Sequence, residues 1–212
     1  MGSEHSVSLG FIHSGTVRVE FMISVMNVIA NPLIGNMSNS SAGPLIALAR
    51  NNLVQRFLDR GQEEWLWCLD TDIVFSQDCI DQLIEAADPV SRPIVSALYY
   101  TIMDGHRVAT IYQDNLADEG TFNTPRDFED NKLIEVGGTG AGCLLVHRSV
   151  LEKIRDDNQG DQCWFREQVV NRRVIGEDLS FAMRARQAGF PVHIHTGIKV
   201  GHVKAIMFGS VT

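Results

Sequence analysis

The sequence predicts one α/β domain built on a mostly parallel, twisted central sheet that is flanked by helices. Strand-like and helix-like segments alternate along the 212 residues, which is typical of this fold class. The segment 65–69, Trp-Leu-Trp-Cys-Leu, is apolar throughout, and such a strand lies inside a sheet that is covered on both sides. Because no linker, repeat or low-complexity segment divides the chain, we expect a single domain over residues 1–212.

The predicted elements of the first half follow from apolar spacing and from turn residues. Asn31-Pro32 stops the first helix, Gly61 ends the second, and Ser76 is the expected N-cap of the third. The segment 36–43 is polar and reads as a connection. In chain order we expect a strand over 7–12, helices over 19–29 and 44–59, the strand over 65–69, a helix over 77–87 and a strand over 94–99.

The second half is more polar. Residues 101–135 are rich in turn residues, residues 135–142 are rich in glycine, and residues 156–173 resemble a flexible surface loop around Trp164-Phe165. That tryptophan either offers its ring to a ligand or anchors its loop. We expect strands over 108–113, 143–146 and 191–196, a helix that begins at 149 and a helix over 177–188.

The composition narrows the function classes. With 18 Lys and Arg against 26 Asp and Glu, the formal net charge is −8, which argues against a protein that mainly grips phosphate backbones, although a local basic pocket is allowed. No apolar run is long enough to span a bilayer, and the N-terminus has no signal-like pattern, so we expect a cytoplasmic protein without a transmembrane segment. The four cysteines form no Cys-x-x-Cys pair and are expected to be buried free thiols.

Two aspartates follow the central strand directly. Ligands of open α/β sheets bind beyond the carboxyl ends of the strands, where Asp70 and Asp72 lie. In an extended segment, residues i and i+2 point to the same side. A divalent cation would neutralise such a pair, and oxygen ligands select a hard ion such as Mg²⁺ or Mn²⁺. The alternative is a solvated turn with an Asx-type cap.

Several segments, taken in order, resemble the GT-A-fold glycosyltransferases, and more narrowly small bacterial or phage proteins similar to family 2 of that class. The donor half of the family is resembled by Ala49-Arg50-Asn51-Asn52-Leu53 and by the segment 65–75, which contains the aspartate pair. Residues 137–146 resemble its glycine-rich stretch, residues 176–181 its Glu-Asp motif, and Gly201-His202 its metal-closing histidine. The ordered set, which covers about residues 7–204, carries the resemblance.

The resemblance implies a metal site formed by Asp70, Asp72 and His202. In this family the second aspartate usually binds the ion directly, whereas Asp70 contacts the ribose or binds the ion through water. Read alone, His202 is better explained as an ordinary satisfied or exposed histidine, and the resemblance reverses that preference. His193 and His195 share one strand face and form a rival pair, which we interpret as ordinary strand residues.

The Glu-Asp motif supplies the implied catalytic groups. Asp178 would act as the general base for the acceptor hydroxyl, and Glu177 would orient or assist it. If the reaction retains the anomeric configuration, Asp178 instead binds the acceptor or the donor sugar. The alternative is that both acids merely stabilise the first turn of a helix through its dipole.

The donor-binding residues implied by the resemblance are more scattered. His13 and Ser14 would hold the nucleotide base, but the usual Pro-x-x-Asn-Glu-like signature is absent, so the choice of nucleotide stays open. Arg50, assisted by Asn51, would bind the donor phosphates, unless it is a helix-surface arginine. Gly140 would let the backbone approach the transferred sugar, or would form a tight turn.

These residues together lead to a functional hypothesis. We expect a metal-dependent glycosyltransferase that moves a sugar from a nucleotide diphosphate sugar, with a UDP-sugar as the expected donor, to an acceptor hydroxyl on a glycan, a protein or a modified base. Its donor-binding half would cover about residues 7–100 and its acceptor half about residues 101–212. The alternatives are a sugar nucleotidyltransferase, whose usual basic glycine-rich loop is missing after the first strand, and a non-catalytic nucleotide-sugar-binding protein. A homodimer is left open.

Overall fold

The computed structural model describes residues 6–103, 105–115 and 121–204. In chain order, the elements of this part of the chain are β1 (Val7–Ile12), α1 (Val19–Val28), β2 (Ile34–Ser40), α2 (Ile46–Arg60), β3 (Trp65–Asp70), β4 (Ile73–Val74), α3 (Cys79–Ala86), β5 (Ile94–Leu98), β6 (Tyr100–Met103), β7 (His106–Ala109), β8 (Ile111–Asp114), β9 (Phe122–Asn123), β10 (Leu133–Val136), β11 (Gly138–Thr139), β12 (Cys143–His147), α4 (Arg148–Asp157), β13 (Gln168–Val170), β14 (Arg173–Ile175), α5 (Glu177–Gln187), β15 (Val192–Lys199) and β16 (Gly201–His202).

The central sheet has seven strands in the order β10-β15-β5-β12-β3-β1-β2. Strand β1 is parallel to β2 and β3, and β5 is parallel to β15, whereas the other three pairings are antiparallel. The predicted α/β class is confirmed, and the sheet is mostly parallel as predicted: five of its seven strands run in one direction, and β10 and β12 run against them. The described part of the β5–β12 connection contains short strands and no helix, and β12 returns between β3 and β5 in the opposite direction to both.

Helices cover both faces of this sheet. Side chains of α2, α4 and α5 pack on one face in a cluster that includes Leu66 and Cys68 of β3. Helices α1 and α3 pack on the other face in a cluster that includes Trp65 and Trp67 of the same strand. Because successive side chains of a strand point to opposite faces, burial on both sides explains why this segment is apolar at every position, as predicted.

The sequence missed two strands of the central sheet, β2 and β10, together with several short strands outside it, and it misplaced the start of α3. Strand β2 overlaps the segment 36–43 that was read as a polar connection. It is an edge strand that, within the described part of the chain, pairs with β1 alone, so its side chains need no apolar alternation. Helix α3 begins at Cys79 with Asp78 at the N-cap and no side-chain cap, so the prediction that Ser76 caps it is wrong. The single strand expected over 108–113 is divided between β7 and β8.

The segment 156–173 is anchored at its apolar centre. The Trp164 ring has no exposed surface, and its Nε1 donates to the Leu151 carbonyl at 2.7 Å. The Phe165 ring stacks on that of Phe181 with 4.5 Å between centroids. Trp164 therefore anchors the loop, and its buried ring offers no face to an acceptor sugar.

Two simpler expectations concern the cysteines and membrane insertion. Cys68, Cys79, Cys143 and Cys163 are all buried and unpaired, as predicted. Among the described residues, no helix has both the length and the apolar character that crossing a bilayer requires.

Asn51 ties α2 to this anchored loop. Its Oδ1 accepts from the Phe165 amide at 2.8 Å, and its Nδ2 donates to the Phe165 carbonyl at 2.7 Å. We expect Asn51→Ala to lower the free energy of unfolding by about 2–3 kcal/mol, because it leaves two buried backbone groups without partners. The measurement is urea denaturation at neutral pH.

The neighbouring residue supplies the matched control. Asn52 makes an exposed side-chain hydrogen bond to Gln162 at 3.2 Å, so we expect Asn52→Ala to change the unfolding free energy by only about 0.5 kcal/mol. Equal losses in the two variants would contradict the anchoring role of Asn51.

Candidate active site

A cavity of about 470 Å³ lies beyond the carboxyl ends of β1 and β3. Its lining includes residues from both halves of the chain, among them Ser14, Asp70, Asp72, Gly140 and Asp178. Strand β3 ends at Asp70, and a two-residue turn leads to β4. The end of β3 and the turn that follows it therefore place Asp70 and Asp72 at the carboxyl end of a central strand, as predicted.

Arg50 contacts three carboxylates at the base of this cavity. Its Nη2 donates to both oxygens of Asp70 at 2.8 and 2.9 Å. Its Nη1 donates to Glu177 Oε1 at 2.6 Å and to Asp178 Oδ1 at 2.8 Å. One guanidinium on α2 therefore joins the end of β3 to the first turn of α5.

The burial of this cluster is asymmetric. The Arg50 side chain is 4% exposed, whereas the three carboxylates are 21–29% exposed. Burial disfavours the charged guanidinium, but the carboxylates outweigh it and raise the pKa of Arg50. Burial raises the pKa of Asp70 and of Asp178, while the charge of Arg50 opposes the rise. All four residues line the cavity, and the carboxylates are more exposed there than the guanidinium.

These contacts bear on two predicted binding residues. Arg50 is not a helix-surface arginine, because its side chain is buried and its terminal nitrogens bind carboxylates. It does line the cavity, and its contact with donor phosphates stays a prediction. Asn51 does not assist it at the cavity, because its amide is engaged with the Phe165 backbone.

The α5 acids occupy the predicted place at a helix start. Gly176 is the N-cap of α5, and Glu177 and Asp178 lie in its first turn. Asp178 Oδ2 also accepts from the Ala141 amide at 3.1 Å, so its carboxylate connects α5 to the glycine-rich segment as well as to Arg50. Its partly exposed edge faces the cavity.

The second aspartate belongs to a separate group of charges. Asp72 Oδ2 lies 3.2 Å from His202 Nε2 and 2.7 Å from Lys204 Nζ. The antiparallel pairing of β4 with β16 sets His202 opposite Ile73, and the Val203 amide donates to the Asp72 carbonyl at 2.8 Å. The pairing thus brings residues 130 positions apart to one side of the cavity.

Electrostatics favour the ionised form of Asp72. Burial acts against it, but the contacts with His202 and Lys204 outweigh burial and lower the pKa of Asp72 to about 2. The same contact with Asp72 raises the pKa of His202. Asp72 is therefore a carboxylate at neutral pH.

The ring of His202 is oriented by the backbone. Its Nδ1 lies 2.9 Å from the Tyr100 carbonyl, and since a carbonyl only accepts, Nδ1 carries the proton. In the imidazolium, Nε2–H then donates to Asp72, and in the neutral ring the same nitrogen carries the lone pair that an ion would bind. Metal-binding histidines commonly donate their other N–H to a carbonyl or carboxylate in this way.

The donor set fits a divalent ion with two protein ligands. Two ligand atoms that each lie about 2.1 Å from one octahedral ion are about 3 Å apart, which compares with 3.2 Å between Asp72 Oδ2 and His202 Nε2. Asp70 does not complete a set of three, because both its oxygens bind Arg50. Across residues 6–103, 105–115 and 121–204, no group of three or more His, Cys, Asp or Glu side chains is arranged to hold a metal.

Tyr99 supports the glycine-rich segment and was missed by the sequence analysis. Its hydroxyl accepts from the Gly142 amide at 3.1 Å, and its ring meets that of His202 edge-on at 5.3 Å between centroids. A Cβ at Gly140 would lie 2.0 Å from this hydroxyl, so glycine is required there by close approach. The only sequence signal was its position at the end of a buried strand.

The structure also shows where the other predicted histidines and Ser14 lie relative to the cavity. His13 and Ser14 line the cavity, and His13 Nδ1 accepts from the Gly15 amide at 3.0 Å. His193 and His195 lie on β15 away from the cavity, with Glu135 of β10 opposite His193.

Lys204, which also lines the cavity, was missed by the sequence analysis, although a cation two residues after His202 is visible in the sequence.

Comparison with known proteins reveals similarity in structure only. The sequence matches no protein-family model and no curated protein. The crystal structure of A197 from STIV superposes with a TM-score of 0.62 at 21% identity, covering 94% of this chain and 86% of A197. The fold is GT-A-like.

A second solved structure extends the comparison. GalNAc-T7, determined with UDP, GalNAc and Mn²⁺, superposes with a TM-score of 0.58 at 12% identity. The match covers 94% of this chain but 44% of GalNAc-T7, so this chain corresponds to less than half of that protein. The GT-A-like fold predicted from the ordered motifs is thus confirmed, while no comparison supports the narrower likeness to small family 2 proteins.

The Arg50 cluster predicts an unusual pH dependence of stability. We expect Arg50→Met to lower the free energy of unfolding by about 3–5 kcal/mol at pH 7.5, because it leaves buried carboxylates without their counter-charge. Without Arg50 the pKa values of Asp70 and Asp178 rise further above their unfolded values, so the native state binds more protons. The loss relative to wild type should therefore shrink as the pH falls to 5.

Arg148→Met is the matched control for this measurement. Arg148 donates to the carbonyls of Glu63, Gly61 and Phe57, so its removal should destabilise the protein by a similar amount at both pH values. Urea denaturation at pH 5 and 7.5 makes the comparison. A pH-independent loss in Arg50→Met would contradict the charge cluster.

Proposed function

We propose that this protein is a metal-dependent glycosyltransferase that transfers a sugar from a nucleotide diphosphate sugar to an acceptor hydroxyl. The observation that carries the proposal is the shared cavity, which is lined both by the Asp72–His202 pair and by Asp178. An ion ligand pair next to a candidate base is the arrangement that this chemistry requires.

Asp72 and His202 would hold Mn²⁺ or Mg²⁺ against the donor diphosphate. The bound ion supplies a Lewis acid for the negative charge that develops on the departing nucleoside diphosphate. With two protein ligands, most coordination positions are left for phosphate oxygens and water. Asp70, held in place by Arg50, is proposed as a ribose contact rather than as a direct metal ligand, and His13 and Ser14 as contacts of the base.

Asp178 is proposed as the general base for the acceptor hydroxyl. Arg50 and the Ala141 amide fix its carboxylate, and its pKa is raised by burial, which makes a carboxylate a better proton acceptor. Glu177, bound to the same guanidinium, would orient it. Gly140 and the Tyr99 hydroxyl shape the space in which the transferred sugar would lie.

The acceptor half is proposed to lie within residues 101–212, with a glycan, a protein or a modified base as the acceptor. The GT-A-like fold supports the general class, and the UDP, GalNAc and Mn²⁺ of the GalNAc-T7 structure suggest UDP-sugars as the first donors to test. A thermal-shift panel of nucleoside diphosphates and their sugars, with and without Mn²⁺, ranks the donors because ligand binding to the native state raises the midpoint.

Two variants separate binding from chemistry. Asp72→Asn should abolish the Mn²⁺-dependent part of the thermal shift with the preferred nucleotide. Asp178→Asn should retain that shift but lower sugar transfer by roughly 10²–10⁴-fold, the usual contribution of a general base. Released nucleoside diphosphate and glycosylated acceptor are the quantities measured.

Asp130→Asn is the control, because Asp130 pairs with Lys199 on the surface and should leave both readouts unchanged. Transfer at the wild-type rate in Asp72→Asn and in Asp178→Asn would refute the proposed function. Nucleotide-sugar binding without turnover in the wild-type protein would favour a non-catalytic binding protein of the same fold.

A further inference from the structure

Asp72 carries a cation from its own chain on the oxygen that faces the proposed metal position. Lys204 Nζ lies 2.7 Å from Asp72 Oδ2, the same oxygen that His202 Nε2 approaches. The Lys204 side chain is 50% exposed, whereas those of Asp72 and His202 are 29% and 13% exposed. The ammonium therefore reaches Asp72 from the solvent side of the pair.

The position of the Lys204 ammonium would make it compete with a divalent ion for Asp72. A divalent ion bound to Asp72 Oδ2 and His202 Nε2 would lie close to the Lys204 nitrogen, and like charges at such separations repel. Lysine has a flexible stem and a compact charge, so Lys204 can leave Asp72 without rearrangement of the fold. Since Lys204 also lines the cavity, a bound diphosphate would offer the displaced ammonium a new anionic partner.

We propose that Lys204 is a built-in cation that occupies Asp72 in the absence of a divalent ion and competes with that ion for Asp72 Oδ2. This inference rests on the proposed function, because it concerns the same metal position. The competition would weaken the binding of the metal ion alone. It would also make the metal ion and the diphosphate bind more tightly together than either binds separately. The coupling arises because the diphosphate draws the ammonium away from the metal's ligand.

The test is Mn²⁺ binding to the wild type and to Lys204→Gln, measured by calorimetry or by electron paramagnetic resonance without a sugar donor. We expect Lys204→Gln to bind Mn²⁺ alone about fivefold to tenfold more tightly, because a like charge is removed from the ligand. UDP should tighten Mn²⁺ binding less in Lys204→Gln than in the wild type. Neither readout depends on turnover.

Two control variants isolate the position of the charge. Lys204→Arg keeps the positive charge and should bind Mn²⁺ with nearly wild-type affinity. Lys199→Gln removes the same charge from an exposed lysine that pairs with Asp130 and is not among the residues that line the cavity, and it should also leave the affinity unchanged, since solvent screens exposed charges.

The outcomes distinguish this inference from the proposed function. If Asp72→Asn loses Mn²⁺ binding while Lys204→Gln binds it no more tightly than the wild type, the competition is overturned and the metal site stands. If neither the wild type nor Lys204→Gln binds Mn²⁺ with UDP present, both the competition and the proposed metal dependence are overturned.

Discussion

The candidate site depends on one buried guanidinium. Arg50 joins Asp70, at the end of a central strand, to Glu177 and Asp178, at the start of α5, and these segments are more than 100 residues apart in the chain. Three carboxylates so close together would repel one another and resist burial. With Arg50 beneath them, they can remain charged and fixed while their outer edges face the cavity.

This arrangement divides the cavity into two electrostatic units. Asp70, Glu177 and Asp178 share an internal, permanent cation, whereas Asp72 has partners that can be exchanged, namely His202 and the more exposed Lys204. Two aspartates that are separated by one residue at the end of β3 thereby have different surroundings: the carboxylate bound to Arg50 is fixed, and the carboxylate bound to Lys204 has a partner that can be exchanged. Under the proposed function, this difference in partners would assign positioning to the first unit and ion binding to the second.

The sequence predicted features that depend on local pattern and missed those that depend on long-range pairing. The apolar run of β3 and the helical spacing of α2 were sufficient to predict an α/β sheet that is covered on both faces. They also located Asp70 and Asp72 at the carboxyl end of β3. Strand β2 escaped detection because a polar edge strand has no apolar period. Arg50 was recognised as important but assigned to phosphate, since nothing in the local sequence shows that α5 would bring two acids to it. Lys204 was missed because its relation to Asp72 exists only once β16 pairs with β4.

A double-mutant cycle between Arg50 and Asp178 tests the central role of the guanidinium most directly. We expect the free energy of unfolding of Arg50→Met/Asp178→Asn, measured in urea at pH 7.5, to be about 1–2 kcal/mol higher than that of Arg50→Met alone. The reason is that removing one carboxylate relieves the uncompensated charge. If the second substitution instead lowers the stability of Arg50→Met further, by as much as Asp178→Asn lowers that of the wild type, Arg50 does not hold these carboxylates together.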